Sequence, residues 1–167
     1  MRQLVIDDAV AGTGCSDLVD FFRANIGVYG WKNKVEFWSH RLINAHDLPQ
    51  GSSARTALEE IGSRVVDAIS REWDEKAMVQ ASQLVSWPAG TNQDAHTDKF
   101  FSDTRFAAIL YLNADYSGGA TFLEMPDSPV RVTPRTGRLL VFEGSRIVHG
   151  VDKVLAGTRY TNAMWLS

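Results

Sequence analysis

One cysteine, Cys15, in 167 residues leaves this chain no internal disulfide framework and no cysteine-rich zinc site to build. Neither sign of charge dominates: 17 Lys and Arg stand against 20 Asp and Glu, a net charge of -3. No broad basic field draws in a polyanion, so nucleic acid is not expected as a partner. The opening stretch 1–8 turns acidic after three apolar residues and lacks a signal-peptide core, and no later apolar run is long enough to span a bilayer. These absences predict a cytoplasmic protein with no membrane partner. No repeat or low-complexity linker interrupts the chain, so 1–167 is expected to form one domain. Its 44% hydrophobic and 22% charged residues are enough for one sizeable core.

What is present changes character along the chain. Up to about residue 75 the apolar spacing is mixed. Leu4, Val5 and Ile6 read as a short strand, and Ser16 reads as the cap of a helix presenting Leu18, Phe21 and Phe22. Leu58, Ile61, Val65, Ala68, Ile69 and Trp73 recur every three or four residues, which predicts a helix over 53–73 with one buried stripe. Between the helices, Trp31, Phe37 and Trp38 sit in a segment that alternates like a strand. From about 76 onward short β-rich runs follow one another, at 105–112, 120–123, 130–133, 138–142 and 159–166, separated by Gly, Pro, Asp or Asn. Helices and support in about 1–75 and strands in about 76–167 predict an α+β fold, mainly β. A sandwich or barrel of short strands would carry the helices on one sheet face.

Only four histidines are available: His40, His46, His96 and His149. His96-Thr97-Asp98 places an imidazole and a carboxylate two residues apart, where both can reach one metal ion. Such a pair arises by accident at a rate of roughly one half per chain of this composition. His149 follows the run 138–142, and stacked short strands can bring it back beside the pair. Two His and one carboxylate on one face of a metal leave adjacent positions open, the arrangement of non-haem Fe(II) oxygenases. Without a further feature, His96 is better read as a solvated loop histidine and His149 as a hydrogen-bonded strand end. The further feature is Arg159, in an apolar terminal run closed by Trp165, where an unpaired charge is costly. A guanidinium there can grip the far carboxylate of a small diacid.

From about Gln83 to the C-terminus the sequence resembles the 2-oxoglutarate/Fe(II)-dependent oxygenases, and within them the prolyl-4-hydroxylase-like branch. His96-Thr97-Asp98 resembles the family's His-x-Asp. Asp115-Tyr116-Ser117-Gly118-Gly119 is similar to its hairpin before the Gly-Gly strand. Arg138 to Phe142 resembles the strand before the second ligand histidine, His149-Gly150-Val151 that ligand, and Gly157-Thr158-Arg159-Tyr160 through Trp165 the co-substrate strand. The resemblance implies a double-stranded β-helix, a jelly-roll variant with helices bracing one sheet.

It further implies Fe(II) on His96, Asp98 and His149, and 2-oxoglutarate with its C5 carboxylate on Arg159, with ascorbate as reductant. Tyr111 resembles a tyrosine whose hydroxyl helps hold the same carboxylate. Thr161 shares the Arg159 strand face and can add a hydroxyl contact. Two positions depart from the pattern: Trp87 stands where the family usually has tyrosine, and Gln93 where it often has an aromatic. Trp87 keeps a flat wall beside the co-substrate and an N–H donor. Cys15, His40 and His46 match no motif and are expected to be structural.

The implied reaction is hydroxylation of an unactivated C–H, with release of succinate and carbon dioxide. Relatives that halogenate place a small residue at the carboxylate position, so Asp98 points to hydroxylation. A prolyl residue in a peptide or protein is the first expectation for the substrate. Another residue, a free amino acid or other small molecule is the alternative, and a non-catalytic jelly-roll binding module is a distant one. Specificity resides in loops that the motifs do not cover, here 28–49 and 99–104. Tyr29, Trp31, Phe37 and Trp38 are flat side chains able to wall a groove for an extended peptide, Tyr29 and Trp31 more so than the other two.

Overall fold

The computed structural model describes residues 1–30 and 36–167. In chain order the described elements are β1 (Gln3–Ile6), α1 (Gly12–Tyr29), α2 (Glu36–Ser39), β2 (Leu42–Asn44), a 3-10 turn (Ala45–Asp47), α3 (Ser53–Trp73), β3 (Val79–Pro88), β4 (Gln93–His96), β5 (Phe106–Tyr111), β6 (Ser117–Gly118), β7 (Thr121–Leu123), β8 (Val130–Val132), β9 (Leu139–Phe142), β10 (His149–Val151), β11 (Val154–Ala156) and β12 (Thr158–Leu166). The larger sheet runs β1-β9-β5-β12-β3-β2 and the smaller β4-β10-β7-β8, while β11 and β6 form a separate pair. Every pairing is antiparallel. From β3 onward the chain passes repeatedly from one sheet to the other, the jelly-roll winding anticipated from the run of short strands.

Strand periodicity sorts the side chains into two layers. Phe106, Ala108 and Leu110 of β5, Leu139 and Val141 of β9, and Met164 and Leu166 of β12 join one core with the helices. Leu18, Val19 and Phe22 of α1 and Leu58, Ile61, Val65 and Ile69 of α3 close that core from outside. Each such side chain taken fully out of water contributes about 1.5–3 kcal/mol. The intervening residues Ala107, Tyr111, Leu140 and Phe142 pack with Leu123 and Val132 of the smaller sheet. Helices therefore brace one face of the larger sheet, and its other face is left for the site. Cys15 is fully buried in α1, where burial pushes its thiol up, in keeping with a structural residue.

Three expectations need correction. Ser16 is not a cap: α1 starts four residues earlier, after an extended Ala11, and the Ser16 hydroxyl donates to the Thr13 carbonyl at 2.8 Å. The strand-like alternation around Phe37 and Trp38 is instead the short helix α2, because its 4 residues cannot separate period 2 from a single helical turn. Trp31 lies outside the described residues. β1 and β2, from the N-terminal half, are edge strands of the larger sheet, paired with β9 and β3. No helix among the described residues is long and apolar enough to cross a membrane.

Candidate active site

β4 and β10 are neighbours in the smaller sheet, and their register sets His96 directly opposite His149. Directly paired residues share a sheet face, so both imidazoles project to the same side, ring centroids 4.4 Å apart. Asp98 lies two residues beyond the end of β4, and its N–H donates to the Gly144 carbonyl at 2.9 Å. That bond holds the loop against the turn leading from β9 to β10. A side chain at position 144 would run into Asp98 Oδ2, so glycine is what leaves this oxygen room.

The hydrogen bonds settle which atoms are offered. His149 Nδ1 lies 2.9 Å from the Ile147 carbonyl, and His96 Nδ1 2.8 Å from the Asp94 carbonyl. A carbonyl can only accept, so in each neutral ring Nδ1 carries the hydrogen and Nε2 is a bare lone pair. Both Nε2 atoms face Asp98, at 3.3 Å from Oδ2 for His149 and 3.8 Å from Oδ1 for His96. Asp98 Oδ1 accepts the Trp165 indole N–H at 2.9 Å, whereas buried Oδ2 has no donor aligned to it among the described residues. Burial pushes the Asp98 carboxyl up; positive charge on the His149 ring, the Trp165 N–H and positive charge on His96 act against it and bring it below the usual carboxylate range, a role that passes to a bound cation when both rings are neutral. Two lone pairs and a carboxylate converging in a mostly buried space repel one another until a cation sits between them. Their ligand atoms all lie within 4.8 Å of one another, which suits one metal ion.

A cavity of about 330 Å³ opens from these three residues across the free face of the larger sheet. Arg159, Thr161, Ala163 and Trp165 line it from alternate positions of β12, opposite Val85 and Trp87 of β3 and Ile109 of β5. Arg159 is 1% exposed, and no carboxylate pairs with it among the described residues. Its guanidinium is flanked by the rings of Trp87 and Tyr111, 5.7 and 5.5 Å from their centroids. Nη2 donates to Thr121 Oγ1 at 3.1 Å, and Nε has no acceptor among the described residues. A buried guanidinium left so short of acceptors fits an anionic ligand that completes it.

The sequence-predicted residues are thus brought together with one adjustment. His96, Asp98, His149, Arg159, Thr161 and Trp87 all line the cavity. Tyr111 is fully buried behind its wall, and its hydroxyl donates to Thr121 Oγ1 at 2.7 Å. Thr121, which the sequence reading missed, is the residue that reaches the cavity. Its oxygen accepts from both Tyr111 and Arg159, so its own hydrogen is free to point at a ligand. The only sequence signal was a threonine after Gly118-Gly119-Ala120, and Gly118 earns its place with φ 71° and a Cβ position blocked by the Lys153 carbonyl. The Gln93 amide lies 3.4 Å from His96 Nε2 at the cavity rim. Tyr116 was read only as part of a hairpin; burial drives its phenol far up, Arg159 offsetting this in part, and among the described residues its buried hydroxyl has no aligned hydrogen-bond partner. His40 and His46 are both exposed and take no part in the cavity.

Of the four aromatics expected to wall a groove, Trp38 does so, with its ring edge-on to Trp87 at 5.6 Å. Phe37 is exposed and packs edge-on against Trp38 at 4.8 Å. Tyr29 does not take part: it stacks on Phe21 at 6.4 Å and packs against the helical core, because α1 extends to residue 29 and turns it inward.

Residues 81–167, which contain every one of these cavity-forming groups except those of α2 and β2, match the model of the 2OG-Fe(II) oxygenase superfamily. The chain belongs to that superfamily. The cofactor pair of this oxygenase is accordingly Fe(II) and 2-oxoglutarate, for which the convergent Nε2 and Oδ atoms and the anion-seeking Arg159 are the matching groups. The oxygenase is similar to prolyl 3-hydroxylase 1 of Homo sapiens, 32% identical over 120 residues, covering 68% of this chain and 15% of that protein. It spans only 9 to 15% of the length of the curated prolyl 3-hydroxylases it matches. In fold it is similar to a prolyl-4-hydroxylase of Pseudomonas putida, with TM-score 0.74 and 18% identity over 98% of this chain and 91% of the other. It is likewise similar to a prolyl hydroxylase of Trichoplax adhaerens solved with a hypoxia inducible factor peptide fragment, with TM-score 0.73 and 18% identity over 98% and 82%. The double-stranded β-helix expected from the motifs is therefore the fold of this oxygenase.

Proposed function

We propose that this oxygenase hydroxylates an unactivated C–H bond of a prolyl residue in a peptide or protein. In this reading Fe(II) is held by His96, Asp98 and His149, and the distal carboxylate of 2-oxoglutarate by Arg159. One observation carries the proposal: the His96 and His149 rings, whose Nδ1 atoms are taken up by carbonyls, Asp98, and an Arg159 guanidinium with no carboxylate partner among the described residues all line one cavity. When bound, the iron and 2-oxoglutarate supply the oxidative chemistry, in which one oxygen of O2 enters the substrate C–H and the other leaves in succinate beside carbon dioxide.

The protein's own part is to bind, orient and exclude water. Arg159 neutralises the distal carboxylate between Trp87 and Tyr111, and Thr121 donates its free hydrogen to the same group, so the oxo-acid end is directed at the metal. Thr161, one step along the same strand face, can add its hydroxyl. Ile109, Val85 and Trp87 form an apolar wall that keeps water from the reacting end. The Ile147 and Asp94 carbonyls fix the imidazole tautomers that ligation requires.

Support for a prolyl substrate comes from the relatives, whose names are those of prolyl hydroxylases, and from the flat side chain of Trp38 at the cavity. The test is succinate release from 2-oxoglutarate with Fe(II) and ascorbate, with and without proline-rich peptides, and mass analysis of the peptide. One added oxygen on proline is the expected result. Stimulation by a free amino acid alone would move the substrate away from peptides and leave the metal and co-substrate roles standing.

Three variants follow from the site. Thr121→Val removes the hydroxyl that joins Tyr111 to Arg159, and the 2-oxoglutarate concentration for half-maximal turnover is expected to rise about tenfold, as for loss of a hydrogen bond to a charged group. Tyr111→Phe shifts it in the same direction by less, since it acts through Thr121; an equal or larger effect would place the tyrosine in direct contact. Trp38→Ala is expected to raise the half-saturating peptide concentration by about tenfold, the effect of truncating an aromatic anchor. Peptide saturation like the parent's would place the groove elsewhere.

A further inference from the structure

We infer that Trp165 is a positioning residue that divides the two oxygens of Asp98, occupying Oδ1 so that Oδ2 alone is presented to a metal ion. The inference rests on the metal site proposed above and goes beyond it by assigning a role to a residue outside the ligand set.

Three separate features converge on it. The Trp165 indole N–H donates to Asp98 Oδ1 at 2.9 Å. Oδ2 is buried and has no aligned donor among the described residues, and a side chain at position 144 in place of glycine would run into it. The indole is itself stacked on Phe100, with centroids 4.7 Å apart and an angle of 23°. A free carboxylate turns about its last bond and can offer a metal one oxygen or two. An N–H pinned to one oxygen lowers the freedom of that rotation and disfavours chelation by both. Trp165 stands six residues beyond Arg159 on the same face of β12, since Arg159, Thr161, Ala163 and Trp165 alternate into the cavity. A single strand thus anchors the co-substrate at one end and aims the carboxylate ligand at the other.

Co(II) titration of the full chain without 2-oxoglutarate tests this, reading both affinity and the visible cobalt spectrum. Trp165→Phe and Trp165→Leu both remove the N–H, and whichever keeps the circular dichroism of the parent carries the test. The expected result is a roughly ten- to hundredfold loss of Co(II) affinity, as for other groups that orient a ligand, with a changed spectrum as the carboxylate turns. Phe100→Leu, which keeps the N–H, is expected to lose far less. A folded Trp165 variant that binds Co(II) within twofold of the parent, with the same spectrum, overturns the inference. Asp98→Ala separates the two layers: if it binds Co(II) as the parent does, the metal site itself is wrong and the role of Trp165 falls with it.

Discussion

His96→Ala, Asp98→Ala and His149→Ala are each expected to abolish succinate formation from 2-oxoglutarate while the circular dichroism of the protein stays that of the parent. The ligand atoms sit at the end of β4, in the loop beyond it and at the start of β10, so their loss removes no apolar side chain from either core. Each variant leaves two of three groups to hold the ion, and metal affinity should fall with activity. Asp98→Glu is expected to fail as well. Its extra methylene carries the carboxylate past the Trp165 N–H and away from the point where the two Nε2 atoms converge. Turnover assays with metal content measured on the same preparations check this, and normal turnover in all three alanine variants would contradict the assignment.

Arg159→Ala is expected to raise the 2-oxoglutarate requirement far more than it changes iron binding. The variant leaves the distal carboxylate desolvated between Trp87 and Tyr111 with no cation to meet it. Losing one partner of a buried charge pair costs about 2–5 kcal/mol, or roughly thirtyfold to several thousandfold in affinity. The rise in unfolding temperature that 2-oxoglutarate gives the iron-loaded parent should vanish at the same concentration. A variant that binds 2-oxoglutarate as the parent does would put the carboxylate pocket elsewhere.

The parts of this site that were legible in the sequence are those set by chain spacing. His96 and Asp98 are two residues apart, and Arg159 and Thr161 share a strand face, so short-range geometry alone brings each pair to one side. The helix over 53–73 was equally plain, because its apolar stripe persists for more than five turns. What stayed hidden depends on which strands pair. Thr121 matters because β7 lies beside β10 in the smaller sheet, across the cavity from Arg159, and no local pattern encodes that. The Trp165 contact with Asp98 spans 67 positions and arises from the path of β12 through the larger sheet. Tyr111 was read as helping to hold the carboxylate, and its hydroxyl lies against Thr121 behind the cavity wall; the strand face is readable in sequence, and the thickness of the wall in front of it is not. Ser16 misled because a capping residue type occurs just inside a helix that begins on Gly12 without one.

The central claim is that one cavity holds iron and 2-oxoglutarate together, the first on His96, Asp98 and His149 and the second on Arg159. Its most direct test is an anaerobic titration of 2-oxoglutarate into the Fe(II)-loaded protein, followed by visible absorption for the charge-transfer band of a 2-oxo acid chelated to Fe(II). The account predicts a band that saturates at one equivalent in the parent, is absent in Asp98→Ala and needs far more 2-oxoglutarate in Arg159→Ala. A parent protein that binds iron yet develops no band at any 2-oxoglutarate concentration, or a band indifferent to both substitutions, would contradict it.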